Sequence, residues 1–98
     1  MMTRIASVCI VVAFVALGAL PASAEPLVRV LTQRGCVACV YAIQYFRARG
    51  IEPAIYDIHL HHPWVYGARQ FGWGTPVVEI RGRKVLGYRP DMFDALLR

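Results

Sequence analysis

Only Val37 and Ala38 separate Cys36 from Cys39, and the pair stands where a β-branched run gives way to an apolar stripe at helical spacing. Upstream, Leu27-Val28-Arg29-Val30-Leu31-Thr32 is short and aliphatic and ends in Gln33-Arg34-Gly35, the pattern of a buried strand running into a loop. Downstream, no Gly or Pro interrupts the chain from Val37 to Arg49. Cys36, Cys39, Ile43 and Phe46 recur there at three- and four-residue steps, while Gln44, Arg47 and Arg49 fall off the stripe. Gly50 is placed to end this helix. Two sulfurs at such a junction restrict the chain to folds in which a strand feeds directly into the amino end of a helix.

The rest of the chain continues the alternation. Pro53-Ala54-Ile55-Tyr56-Asp57-Ile58 reads as a second strand, and Pro63 opens a helix that runs to Gln70 or Phe71 before Gly72 and Gly74 break it. Val77-Val78-Glu79-Ile80 and Lys84-Val85-Leu86 flank the polar turn Arg81-Gly82-Arg83, which predicts a β-hairpin. Pro90-Asp91 begin a last helix, with an acid at its positive end and Arg98 at its close. The order β-α-β-α-β-β-α predicts an α/β fold with a right-handed parallel crossover in the first half and an antiparallel pair after it. No repeat, low-complexity tract or linker divides Leu27 to Arg98, so one domain is expected.

Residues 1–24 read differently. Met1 to Arg4 carry a positive charge, Ile5 to Leu20 form a nearly unbroken apolar run, and Pro21-Ala22-Ser23-Ala24 supplies small residues before Glu25. These are the three parts of a signal peptide, with Ala22 and Ala24 at the cleavage site. The alternative is an uncleaved membrane anchor, although the run is short for a span. Both readings put the domain at residues 25–98 outside the cytoplasm, periplasmic or secreted. Cys9 lies within the apolar run and is expected to leave with the leader. The hydrophobic fraction of 57% and the mean hydropathy of +0.44 are raised by this segment, so they do not argue for a membrane protein. Without Arg4, ten basic residues face six acidic ones, a net charge of +4. The basic residues are scattered apart from Arg81-Gly82-Arg83-Lys84 and no aromatics interleave with them, which argues against nucleic acid and for a solvated turn. Weak attraction to acidic partners is the other reading of that turn.

The chemistry lies in the cysteines. A sulfur at the start of a helix sits beside unpaired N–H groups and the positive end of the dipole, which favours thiolate. Cys36 is therefore expected to have a lowered pKa and to attack, helped by the charge of Arg34. Cys39, one turn into the helix on its apolar stripe, is expected to be buried and to resolve the mixed disulfide. Val37 and Ala38 add no side-chain donor, which predicts a potential more reducing than that of strong periplasmic oxidants. Two other readings exist: an inert bridge, which closes too short a loop to be a good staple, and half of a metal site. The candidates for the further metal ligands are His59, His61 and His62, whose spacing does not match the usual zinc pattern. Thr75-Pro76, leading into the hairpin, is either a simple strand-edge turn or a cis peptide that offers the Thr75 backbone to an extended substrate chain beside Cys36.

Taken together, the first strand, Cys36-Val37-Ala38-Cys39, Thr75-Pro76-Val77-Val78 and Leu86-Gly87-Tyr88-Arg89-Pro90-Asp91 resemble a glutaredoxin of the thioredoxin superfamily over essentially all of Glu25 to Arg98. The resemblance implies a thioredoxin-like (glutaredoxin) fold, a four-stranded mixed sheet flanked by three helices. It implies Cys36 as nucleophile, Cys39 as resolving thiol, Pro76 as the cis-proline, and Arg34, Thr75, Tyr88 and Asp91 on the substrate side. Gly87-Tyr88-Arg89-Pro90-Asp91 is similar to the glutaredoxin-like redoxins that serve ribonucleotide reductase, a role that an export signal excludes. Glutathione-using members usually carry two glycines and two acidic residues there. Here Tyr88 stands for the second glycine, Pro90 for the first acid, and Gln33 for a common lysine. These departures turn the expectation from glutathione toward protein thiols and disulfides, with no bound cofactor, a monomeric protein, and an electron donor such as a membrane redox protein or a small thiol.

The alternative function is a thiol carrier of Cu(I) or another metal in the cell envelope, assisted by the histidine loop. The plainer expectation for His59, His61 and His62 is a solvated loop with no metal. Trp64, Tyr66, Phe71 and Trp73 are expected mainly in the core, with one or two lining a substrate groove, and Tyr41 and Tyr45 at the helix surface or edge.

Overall fold

The computed structural model describes residues 25–72 and 74–98. The leader expected over residues 1–24, with Cys9, and the aromatic Trp73 lie outside the described residues. The elements run β1 (Val28–Thr32), α1 (Val37–Arg47), β2 (Ala54–Asp57), α2 (Pro63–Phe71), β3 (Val77–Ile80), β4 (Arg83–Leu86) and α3 (Pro90–Leu97). The four strands form one sheet in the order β2-β1-β3-β4. β1 pairs parallel with β2, and β3 pairs antiparallel with both β1 and β4. The mixed sheet and three helices are those expected from the alternation of apolar periods.

Strand periodicity divides the side chains between two layers. Val28 and Val30 of β1, Val78 and Ile80 of β3 and Val85 of β4 meet Ala42, Tyr45 and Phe46 of α1 and Phe93 of α3. Leu31 and Val77 point the other way, onto Val65 and Ala68 of α2. The first layer is aromatic at its centre: the Tyr45, Phe46 and Phe93 rings lie 5.0 to 5.2 Å apart. Burying each such ring contributes about 1.5–3 kcal/mol.

Three details depart from the sequence reading. The first helix closes at Arg47, two residues early, because the chain unwinds through Gly50 at φ +74°. There the Gly50 N–H donates to the Arg47 carbonyl and the Ile51 N–H to that of Phe46, both at 3.0 Å. Tyr45 is buried rather than at the surface, because α3 covers that flank of α1: its ring packs on Phe93 and its hydroxyl bonds the Asp94 carboxylate. Arg49 caps the same ring, with its guanidinium 3.5 Å from the ring centre. The aromatics of α2 are mostly outside the core: Trp64 is half-buried, but Tyr66 and Phe71 are exposed, since a helix this short over one end of the sheet hides only Val65 and Ala68.

Candidate functional site

The β1–α1 loop delivers Cys36 to the first position before the helix, where its own N–H donates to the Gln33 carbonyl at 3.3 Å. Its backbone is extended, and its sulfur takes the place of a capping oxygen by accepting the Cys39 N–H at 3.1 Å. A negative charge on that sulfur faces an N–H donor and the positive end of an eleven-residue helix. Cys36 is half-buried, whereas Cys39 is only 2% exposed. The Cα atoms lie 5.3 Å apart and the two sulfurs are joined as a disulfide. The Cys39 sulfur also lies 3.9 Å from the Leu31 carbonyl oxygen.

A concavity of about 360 Å³ opens over the pair, lined by Thr32, Gln33, Gly35, Cys36, Val37, Cys39, Val40 and Ile43. Arg34 does not line it. That side chain is exposed and borders a neighbouring depression with Thr32, Gln33, Asp57 and His59. A third depression, under Tyr66, Arg69 and Gln70, holds neither sulfur.

On the other flank of β1, the Thr75-Pro76 peptide bond is cis, and the buried Pro76 accepts the Gly87 N–H on its carbonyl at 2.8 Å. Leu31 faces Val77 in the antiparallel register, so continuing that register by two residues sets Thr75 opposite Gln33, the residue that holds the Cys36 amide. Among the described residues the buried Thr75 hydroxyl oxygen has no hydrogen-bond partner. Tyr88 follows β4, 40% exposed, and packs on Tyr41 of α1 with 5.9 Å between ring centres. Tyr41 is one turn beyond Val37, so Tyr88 lies against the flank of α1 away from the concavity, while Asp91 is exposed in the first turn of α3. Neither Tyr88 nor Asp91 borders the concavity over the sulfurs.

The histidines are engaged otherwise than as a cluster. The His62 ring nitrogen accepts the Trp64 N–H and caps α2, and its ring packs on Tyr56. His61 bonds the Tyr66 hydroxyl. Among the described residues no three His, Cys, Asp or Glu side chains are gathered to hold a metal ion. Among the described residues, likewise, no helix is long and apolar enough to cross a membrane.

Sequence reasoning missed Glu79. It is 8% exposed in the middle of the sheet on the α2 side, paired with Arg29 at 3.0 Å and Lys84 at 3.3 Å, and it accepts the Trp64 indole N–H at 2.9 Å. Burial by itself raises the Glu79 carboxyl, but the bonds from Trp64, Lys84 and Arg29 outweigh it and hold the group below its ordinary value. The signal was available in the opposite charges at Arg29, Glu79 and Lys84, which are cross-strand neighbours once the register is known.

No protein-family model matches this chain, and no curated protein matches it. Solved structures do. The chain is similar to a glutaredoxin from Archaeoglobus fulgidus, with 18% identity and a TM-score of 0.60 over 76% of this chain and 88% of that one. It is similar to the glutaredoxin-like protein NrdH-redoxin from Escherichia coli, described as having a thioredoxin-like activity profile, with 24% identity and a TM-score of 0.60 over 70% and 92%. It is also similar to a thioredoxin-like protein at 20% identity and a TM-score of 0.61, over 72% and 99%. The architecture is that of the thioredoxin-like, glutaredoxin class.

Proposed function

We propose that this chain is a dithiol thiol-disulfide oxidoreductase in which Cys36 attacks and Cys39 resolves, acting on protein thiols and disulfides outside the cytoplasm. The observation that carries the reading is the inequality of the two sulfurs. Cys36 is half-buried and hydrogen-bonded at a helix start, while Cys39 is buried against a carbonyl. The helix start suits an exposed attacking sulfur and the interior a protected one, so Cys36 is the nucleophile and Cys39 is held in reserve. The glutaredoxin-like architecture, with Thr75-Pro76 beside the loop that holds Cys36, supports the same assignment.

In the reducing direction the Cys36 thiolate attacks one sulfur of a partner disulfide, and the other partner sulfur leaves as a thiolate. Cys39 gives up its proton and attacks the Cys36 sulfur, the Cys36–Cys39 bond re-forms, and the second partner thiolate is released. Two electrons pass to the partner. The oxidising direction is the same sequence reversed. A further dithiol donor, such as a membrane redox protein, or a small thiol regenerates the reduced form.

An extended partner segment would lie along the Thr75 backbone as an added strand, with Tyr88 and Asp91 on that flank and Arg34 adding positive charge near Cys36. Tyr88 and Pro90 in place of the second glycine and the first acid favour a protein partner over glutathione, and no cofactor is required. The apolar residues 5–20 and the small residues before Glu25 support export.

The test is Cys39→Ser. It should halt the reaction after the first step and accumulate mixed disulfides that a reductant dissolves, while the unaltered protein reduces insulin when supplied with dithiothreitol. Absence of both insulin reduction and trapping would end this reading.

A further inference from the structure

We infer that the groove over the sulfurs is a side-chain subsite that selects partners with an aliphatic residue flanking the reactive cysteine. The inference rests on the redox reading above and names the partner chemistry it requires. The groove lies on the flank of α1 opposite Thr75-Pro76. Its floor includes Thr32, which pairs with Asp57 of β2, whereas Thr75-Pro76 leads into β3, and β2 and β3 flank β1 on opposite sides. Its wall is the helical row Val37, Val40 and Ile43, which winds away from the Tyr41 side that meets Tyr88.

What fills it follows from its chemistry. Val37 is 63% and Val40 50% exposed, beside a sulfur that must touch its partner's sulfur in a mixed disulfide. A residue flanking the partner cysteine bonded to Cys36 therefore reaches this wall. Apart from the cysteines, no lining residue is ionisable, and the polar members are the neutral Thr32 and Gln33. A charged neighbour of the partner cysteine would lose hydration against this wall, and the exposed Arg34, which borders the neighbouring depression, offers an anion only a solvent-screened counter-charge. An aliphatic one gains burial against Val40 and Val37. The volume of about 360 Å³ suits one or two such side chains. A partner chain laid along Thr75 on one flank would thus be read on the other by the residue beside its cysteine.

The test uses the reduced protein and a set of peptide disulfides that differ only in the two residues flanking the cysteine: Leu, Gln or Glu. The Leu peptide should be reduced about tenfold faster in second-order rate than either the Gln or the Glu peptide. Val40→Ser and Val37→Ser, both at exposed helix positions, should shrink the Leu-to-Gln ratio to under about threefold, with folding checked by circular dichroism. Reduction of all three peptides at one rate overturns this inference alone. So does a Leu preference that survives both substitutions. Failure to reduce any peptide, or insulin, overturns the redox reading and this inference with it.

Discussion

The two faces of the sheet are held by different physics. The face under α1 and α3 is closed by aliphatic strands and the rings of Tyr45, Phe46 and Phe93, with its single hydroxyl tied to Asp94 at the rim. The face under α2 buries Glu79 among Arg29, Lys84 and the Trp64 indole, beside a small apolar cluster of Leu31, Val65, Ala68 and Val77. The disulfide belongs to the helix of the first face. Burial of apolar area does not titrate, so the helix that carries the disulfide rests mainly on a support indifferent to pH, while the far face holds a buried carboxylate that acid reaches.

That contrast can be broken most severely at Phe46, which is fully buried at the centre of the first face. Phe46→Ala should cost about 3–5 kcal/mol by denaturant unfolding, with the same loss at pH 5 and pH 8. A loss below about 1 kcal/mol would show that α1 is not anchored by this ring. On the opposite face, Glu79→Gln should cost about 1.5–3 kcal/mol at pH 7, since it leaves Arg29 and Lys84 short of a charged acceptor. The folded Glu79 carboxyl is held below its ordinary value, so its contribution is complete above the unfolded pKa of about 4.3 and is lost as pH falls through the folded one. Unfolding curves taken from pH 7 downward should converge for the two proteins in acid. Parallel curves would mean that the cluster does not carry the acid sensitivity.

The smallest effect sharpens the comparison from the alkaline side. Burial first, and then the bond to Asp94, push the Tyr45 phenol up to about 12. Its contribution is present below the unfolded value of about 10 and is lost as pH rises toward the folded one. Tyr45→Phe should cost about 0.5–1.5 kcal/mol at pH 7 and remove that alkaline decline. An unchanged decline between pH 10 and 12 would place its origin elsewhere.

How far these features could be read in advance differed by residue. Cys36 and Cys39 were legible because their environment is local: a helix start exposes N–H donors whatever the rest of the chain does. Gly50 and Pro63 were legible for the same reason, since each restricts its own backbone. Tyr45 was not. It lies off the stripe through Cys39, Ile43 and Phe46, and only the placement of α3 across that flank buries it. Nor was Glu79, which only the register sets between Arg29 and Lys84 under Trp64.

Sequence alone settled the succession of strands and helices, the spacing of the sulfurs and the residue at each helix start, because those depend on periodicity and on forces that act within a few residues. Tertiary structure decided which flank of α1 lies open beside the sulfurs and which charges are buried, because each of these depends on segments distant in sequence meeting across the sheet. Burial and screening are properties of that meeting, and no single stretch of the chain contains them.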